Sequence, residues 1–343
     1  MKSKAYGRFI DEHLLARTEG PSHAQIGLTN VCPQHCTYCY NRDRKGSPME
    51  TETILRVVRE LKEMGVFWLG WTGGEPLLNE DIARITEAAA ADCAVKLFTT
   101  GCTLTRQKAQ DLKNAGLFSA SVSLDHWQEA LHDQNRGYPG AFRTALEAIR
   151  ILQGVGGIHV GVSAVMSKDM LVERRVEEFL DFLEGLGIHE AWLSETKPSV
   201  QAFWNESLIM TEAERQYLVK LQDKRNARGT MTINYLGHFE GREHFGCNAG
   251  HKMISIDAFG GVSPCVFTPL NFGNVQEKPL AVIFRQMKMS FPSENACFMN
   301  KNFRLFQKYA LKGEHVISGP QAWSLMREVD FGPYARFMEL YYR

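Results

Sequence analysis

Three cysteines crowd the stretch LTNVCPQHCTYCYN: Cys32, Cys36 and Cys39, all within eight residues. Thiolates are soft ligands that suit iron–sulfur clusters or zinc. Three are one too few for a closed tetrahedral zinc site, and an odd number for disulfides. Offsets of four and three predict that the three side chains share one side of a helical turn. His35 is the nearest further zinc donor, but it adjoins Cys36 and would have to point the same way. On these residues two readings stand: an iron–sulfur cluster with one iron open to a small molecule, and a zinc knob or incidental thiols.

The elements that must position this loop come from hydrophobic periodicity. Short β-rich runs predict strands over 25–29, 67–72, 94–100, 120–124, 159–166 and 190–193. Amphipathic runs between them predict helices over 50–64, 80–91, 105–115, 141–152 and 172–186. In SPME, Ser47 reads as an N-cap, Pro48 as the first helical residue and Glu50 as the end of a capping box. Gly65, Gly116 and Gly187 suit C-terminal caps. The alternation implies an α/β fold with a parallel sheet, as a partial (β/α)6 TIM-like barrel or an open doubly wound sheet, with the site at the C-terminal strand ends. The cysteine loop directly follows the first strand, at that end.

After about residue 200 the pattern changes. Thr211 opens a helix through the capping box TEAE, and short strands follow in TMTINYL and in HKMISIDAFGGVSPCVF, the latter a hairpin turning at Gly260–Gly261. The expected organisation is an N-terminal extension (1–23), a barrel (24–200), a small α+β domain carrying the hairpin (201–300) and a helical extension from about residue 301. The closing FGPYARFMELYYR is aromatic enough to be buried.

The chain has 343 residues, more than one core usually supports. Its 39 basic residues balance 39 acidic ones, which leaves no electrostatic footprint for nucleic acid or an anionic membrane. The N-terminus has no signal-peptide core and no apolar run is long enough to span a membrane. A cytoplasmic setting follows, where clustered thiols more often bind metal than form disulfides.

With the aromatic Tyr38 before its last cysteine, CPQHCTYC resembles the CxxxCxΦC signature of the radical S-adenosylmethionine (radical SAM) superfamily. The resemblance implies that Cys32, Cys36 and Cys39 hold a 4Fe–4S cluster whose fourth iron is chelated by SAM, which reduction cleaves to a 5′-deoxyadenosyl radical. TGGEP resembles the family's GGE motif, so Gly73, Gly74 and Glu75 are expected to hold the SAM amine through carbonyls and a carboxylate. Thr100 closes the third strand in a Thr–Asn–Gly-like turn. Ser123 and Asp125, alternating in SVSLD, fall where the family binds the SAM carboxylate and ribose. Arg136 begins a segment like RGxxGxF and can pair bidentately with a carboxylate. By strand position alone, Ser163 is placed at the ribose and Leu193 at the adenine. Cys93 stands apart from both groups, and Cys102 reads as a buried or incidental thiol.

Further on, CNAGHKMISIDAFGGVSPC resembles the cysteine hairpin of SPASM and Twitch domains, but the later cysteine block of a full SPASM domain is missing. That implies one auxiliary 4Fe–4S cluster on Cys247, Cys265 and Cys297. His251 is a possible fourth ligand, with an ordinary hydrogen-bonded histidine the stronger reading. Asp257, Glu195 and His126 are available as proton donors or acceptors, and catalytic residues beyond these stay unassigned. The expected substrate lies between the barrel mouth and the C-terminal domain. Because the cysteine motif starts at residue 32, leaving no room for a leader-binding domain, a small-molecule natural-product or cofactor precursor is preferred, to be oxidised, rearranged or decarboxylated. A peptide substrate is the alternative, and a non-catalytic iron–sulfur or zinc scaffold a third, against which the TGGEP turn argues. The partners implied are that substrate and a flavodoxin- or ferredoxin-like electron donor.

Overall fold

The computed structural model describes residues 2–42, 44–291, 295–309 and 316–342. Helix α1 (Lys2–Arg8) and a π-helical stretch (Phe9–Leu15) lead into β1 (His23–Thr29). Then follow α2 (Thr51–Glu63), β2 (Trp68–Gly73), α3 (Ile82–Ala90), β3 (Ala94–Thr99), α4 (Arg106–Asn114) and β4 (Ser119–Ser123). Next come α5 (Glu129–Arg136), α6 (Ala141–Val155), β5 (His159–Met166), α7 (Arg175–Gly185) and β6 (Glu190–Glu195). These six strands pair in order and all in parallel, the expected partial barrel.

Strand period explains the layers. In β5, Val160, Val162, Ala164 and Met166 are fully buried, while Ser163 and Val165 between them are half-buried. Successive side chains face opposite ways, so one face packs on helices and the other lines the barrel interior. Each helix returns an apolar stripe: α2 buries Ile54, Leu55, Val57, Val58 and Leu61. Gly65, Gly116 and Gly187 follow α2, α4 and α7 at positive φ, as expected of C-terminal caps.

The sheet does not stop at residue 200. Helix α8 (Glu212–Asn226) opens with the expected Thr211–Glu214 capping box, and β7 (Thr232–Tyr235) then pairs in parallel with β6. After the short α9 (Leu236–Phe239), β8 (Met253–Ile256) pairs in parallel with β1 and turns antiparallel into β9 (Val262–Ser263). One sheet therefore runs β7-β6-β5-β4-β3-β2-β1-β8-β9, and the C-terminal hairpin is built onto the strand that carries the cysteine loop. Strand β10 (Leu270–Asn271), α10 (Leu280–Lys288), α11 (Phe298–Tyr309), β11 (Ile317–Ser318), α12 (Gly319–Arg327) and α13 (Arg336–Tyr342) complete the chain.

Two local expectations fail. Helix α2 begins at Thr51, with Glu50 as an extended N-cap that makes no side-chain cap bond, so neither Ser47 nor Pro48 plays its predicted part. Tertiary contacts claim the segment instead: the Met49 N–H donates to Ala258 O at 2.9 Å, and Gln276 donates to Ser47 O at 3.0 Å. In the tail, Ala335 and Met338 are buried, but Tyr334 and Leu340 are exposed. Part of the predicted helical extension (310–315), the side chains of Tyr341 and Tyr342, and residue 343 lie outside the described residues. Among the described residues no helix is long and apolar enough to cross a membrane.

Candidate functional site

The cysteine loop is not the helical turn predicted from its spacing. Residues 30–36 run without helix, and a single turn closed by Cys39 N–H to Cys36 O (3.3 Å) brings Cys36 and Cys39 together. The base of the loop is clamped to β2: Gly74 N–H donates to Thr29 O (2.7 Å) and Glu75 N–H to Val31 O (2.8 Å). This approach requires the paired glycines. A Cβ on Gly73, whose φ is +120°, would lie 2.3 Å from Thr29 O, and one on Gly74 would lie 2.2 Å from Val31 O.

Glu75 is completely buried and turned away from solvent. Its Oε1 accepts from Thr99 Oγ1 (2.6 Å) and Leu77 N–H (3.0 Å); its Oε2 accepts from Thr100 N–H (2.7 Å) and the Thr100 hydroxyl. Burial pushes this carboxyl up, and the four donors push back. A carboxylate has about four acceptor positions, so no place is left for a SAM amine. Those donors occupy the side chain expected at the SAM amine: in this structure Glu75 ties β2 to the end of β3 and so shapes the turn. Thr100 is likewise one of its donors.

Asp125 and Arg136 also face each other rather than an open pocket. Arg136 Nη2 lies 2.8 Å from Asp125 Oδ1, with both side chains almost wholly buried. Asp125 accepts in addition from Val165 N–H (2.9 Å) and from the Tyr38 hydroxyl. The other Arg136 arm reaches the Cys36 sulfur at 3.9 Å, and its guanidinium stands 5.6 Å from the Tyr38 ring centre. The end of α5 holds the loop by its backbone too: His35 N–H donates to Arg136 O at 2.9 Å. Burial pushes the Cys36 thiol up and Arg136 opposes it; burial takes Cys32 to about 12. The motif aromatic, strand end and arginine expected to touch SAM thus form one bracket around Cys36.

Ser123 and Ser163 are register partners on the inner face, both half-buried, and Ser163 in turn pairs with Trp192. Leu193 is one residue out of phase: it pairs with Ala164 and belongs to the helix-packed core at 2% exposure. The placement of Leu193 at the adenine is therefore corrected, because strand period two puts Trp192 inside. Deeper in the barrel the Lys96 ammonium pairs with Glu190 and lies 4.8 Å from the Trp192 ring centre. The three expected proton carriers are all engaged. Asp257 accepts from Arg44 (3.0 Å), Phe259 N–H and Gly261 N–H; Glu195 accepts from Arg215, Tyr235 and Asn300; His126 Nδ1 accepts from Gln128 N–H.

The second set of thiols flanks the hairpin and α11: Cys247 precedes β8, Cys265 follows β9 and Cys297 directly precedes α11. Burial raises Cys247, Cys265 and Cys297, and each also feels the charge of Glu240. The Thr268 hydroxyl lies 3.0 Å from the Cys265 sulfur, while the Phe298 amide opposes the burial of Cys247 and the Asn300 amide that of Cys297. The charges around His251 are Lys288, Lys252 and Glu19, and the ring is buried, which agrees with the stronger of the two expectations, an ordinary structural histidine. Lys197 and Glu240 are the residues that sequence reasoning passed over. The signal for Lys197 was a charged ETK at the end of an apolar strand, and Glu240 lies in the charged stretch FEGRE.

Arg44 and Tyr40 join the two cysteine regions. Arg44 also donates to Ser263 Oγ (3.1 Å) and Thr268 O (3.4 Å), and Tyr40 meets Phe267 edge-on at 5.8 Å. Among the described residues no three His, Cys, Asp or Glu side chains meet as ligands of one metal ion must. A four-iron cluster asks for less, since each thiolate binds a different iron. All eight cysteines are free, and both triads offer sulfurs alone with hydrogen-bond donors around them, which fits clusters better than zinc. A cavity of about 640 Å³ lies elsewhere, at the opposite strand ends, under α1 and beside Phe67, Cys93 and Phe118. Its walls are mostly carbon, and the Cys93 thiol there is spent on Val66 O, so it is not the site of this chemistry.

Residues 26–183 match the radical SAM superfamily, and residues 247–308 match the iron–sulfur cluster-binding domain called SPASM. The PqqA peptide cyclase of Bradyrhizobium diazoefficiens is 24% identical over 326 residues, spanning 91% of this chain and 80% of that protein. The AdoMet-dependent heme synthase of Methanosarcina barkeri is 25% identical over 304 residues, spanning 80% and 87%. SuiB of Streptococcus suis, solved bound to the precursor peptide SuiA, shares the fold with a TM-score of 0.66 at 16% identity, over 93% of this chain and 79% of that one.

Proposed function

The chain carries a radical SAM domain followed by a SPASM domain, with a SAM-binding 4Fe–4S cluster and auxiliary iron–sulfur as its cofactors, and on that premise we propose that it modifies a peptide. One similarity carries the substrate class: that to the PqqA peptide cyclase, which runs through both domains over 326 residues. It outweighs the small-molecule preference, which rested on where the cysteine motif begins. The product is a peptide with a new internal link or an altered residue. The similarity to a heme synthase keeps a small-molecule precursor as the second reading.

When bound, the cluster and SAM would supply radical chemistry: hydrogen-atom abstraction from the substrate. The chain's own residues do the rest. Cys32, Cys36 and Cys39 hold that cluster in this reading, and Arg136 fixes Cys36 by donating to its sulfur. Gly73 and Gly74 bring the turn's backbone against the base of the loop. Ser123 and Ser163 offer hydroxyls on the inner face for the nucleoside. Cys247, Cys265 and Cys297 hold the auxiliary cluster beside the barrel mouth. A flavodoxin- or ferredoxin-like protein delivers the electron. Holding radical and substrate in register and away from water is the protein's contribution.

Co-expression with each short peptide encoded beside its gene, followed by mass spectrometry, tests the reading. A peptide whose mass changes only with the intact enzyme, and not with the Cys36→Ala variant, is expected. Unchanged peptides, with a small molecule consumed alongside SAM by the same enzyme, contradict it.

A further inference from the structure

Lys197, just beyond the end of β6, is a cation buried beside the auxiliary thiols. Its side chain is 1% exposed, and its Nζ lies 2.6 Å from Glu240 and 4.0 Å from Glu195. Glu195 is already served by Arg215 at 2.9 and 3.2 Å, by the Tyr235 hydroxyl at 2.7 Å and by Asn300 at 3.1 Å. Glu195 thus draws little on Lys197, and thiolates added beside the ammonium bring further negative charge.

Lys197 is placed to offset it. Among the described residues its one hydrogen bond goes to Glu240, yet an ammonium has three protons to give. Asn300, in the first turn of α11, donates at 3.1 Å to the same Glu195 that the ammonium approaches at 4.0 Å, which places Lys197 near the start of that helix. Cys297 directly precedes α11, and the Phe298 and Asn300 amides of that helix's first turn act on the Cys247 and Cys297 thiols respectively.

We propose that Lys197 is a positioning residue for the auxiliary cluster: held by Glu240, its ammonium compensates charge at the Cys297 sulfur and raises the reduction potential of that centre. A fixed cation in a low-dielectric site favours the state with the extra electron. The inference rests on placing the cluster on Cys247, Cys265 and Cys297, and does not depend on the substrate.

The test is an anaerobic redox titration of the reconstituted holoenzyme, followed by electron paramagnetic resonance with iron counted in each sample. Lys197→Met, Lys197→Arg, the double variant Lys197→Met with Glu240→Gln, and Cys265→Ala are compared with the parent. Lys197→Met and the double variant shift the auxiliary midpoint to more negative potential and leave the SAM-binding cluster where it was; Lys197→Arg stays near the parent. Loss of auxiliary iron in both methionine variants but not in the arginine variant supports the same role. An unchanged auxiliary midpoint at full iron overturns it, as does an equal effect in all three lysine variants. If Cys265→Ala keeps full iron, the cluster placement fails instead, and the iron count separates the two failures.

Discussion

One arm of Arg136 lies 3.9 Å from the sulfur of Cys36, one hundred residues earlier in the chain, while its other arm holds Asp125 at 2.8 Å. A buried ion pair thus doubles as a fixture for a cluster ligand. Arg136→Met strands a buried carboxylate, a loss of about 3–5 kcal/mol. Urea unfolding should show that loss, with iron content falling alongside it. Arg136→Lys should recover part of the stability but less of the iron, because an ammonium cannot span both partners. Equal recovery of both would mean that the contact with sulfur is incidental.

Gly74→Ala tests the clamp at the base of the loop. Its new Cβ meets Val31 O at 2.2 Å, so the cysteine loop must shift. Iron should fall from about eight to about four atoms per chain, the amount of one lost cluster. Circular dichroism should show the helices intact. Full iron loading with normal SAM binding would remove the steric argument.

Much of the site's framework is legible in sequence because it is local. Strand β5 emerges at its predicted limits because Val160, Val162, Ala164 and Met166 recur with period two, and α8 follows its Thr211 N-cap because the capping box is complete within four residues. The same local reasoning fails at Ser47, where Ala258 and Gln276, more than two hundred residues away, take over the backbone. It fails again at Glu75, Asp125 and Arg136, whose types are right for binding SAM but whose partners turn out to be Thr100, Tyr38 and one another. Leu193 is lost to a one-residue phase that strand boundaries alone do not resolve.

That phase is itself testable. Leu193 sits in the helix-packed core, so Leu193→Ala should cost about 2–5 kcal/mol on unfolding and leave SAM affinity unchanged. Isothermal titration with SAM against a urea series separates the two. Weakened SAM binding without lost stability would restore Leu193 to the adenine pocket.

Glu195 predicts the acid limit of the protein. Burial alone would raise its carboxyl, but Lys197, Arg215 and Tyr235 outweigh burial and hold it down to about 2, against an ordinary 4.5. A depressed carboxyl stabilises the fold above its unfolded value and loses that contribution as pH falls toward the folded one. The contribution is about 3 kcal/mol at neutral pH, lost between about pH 5 and pH 2. The urea midpoint of the metal-free protein should drop through that window, and Glu195→Gln should flatten the drop. Parallel profiles for the two proteins would contradict this.

Radical SAM chemistry requires the cluster at Cys32, Cys36 and Cys39 to have an iron that SAM can reach. The direct measurement is electron paramagnetic resonance of the dithionite-reduced Cys265→Ala variant, in which only that centre remains, before and after SAM is added. The predicted result is a changed spectrum with SAM, followed by 5′-deoxyadenosine in the mixture. An unaltered spectrum and no 5′-deoxyadenosine, with the iron of one cluster present, would contradict it.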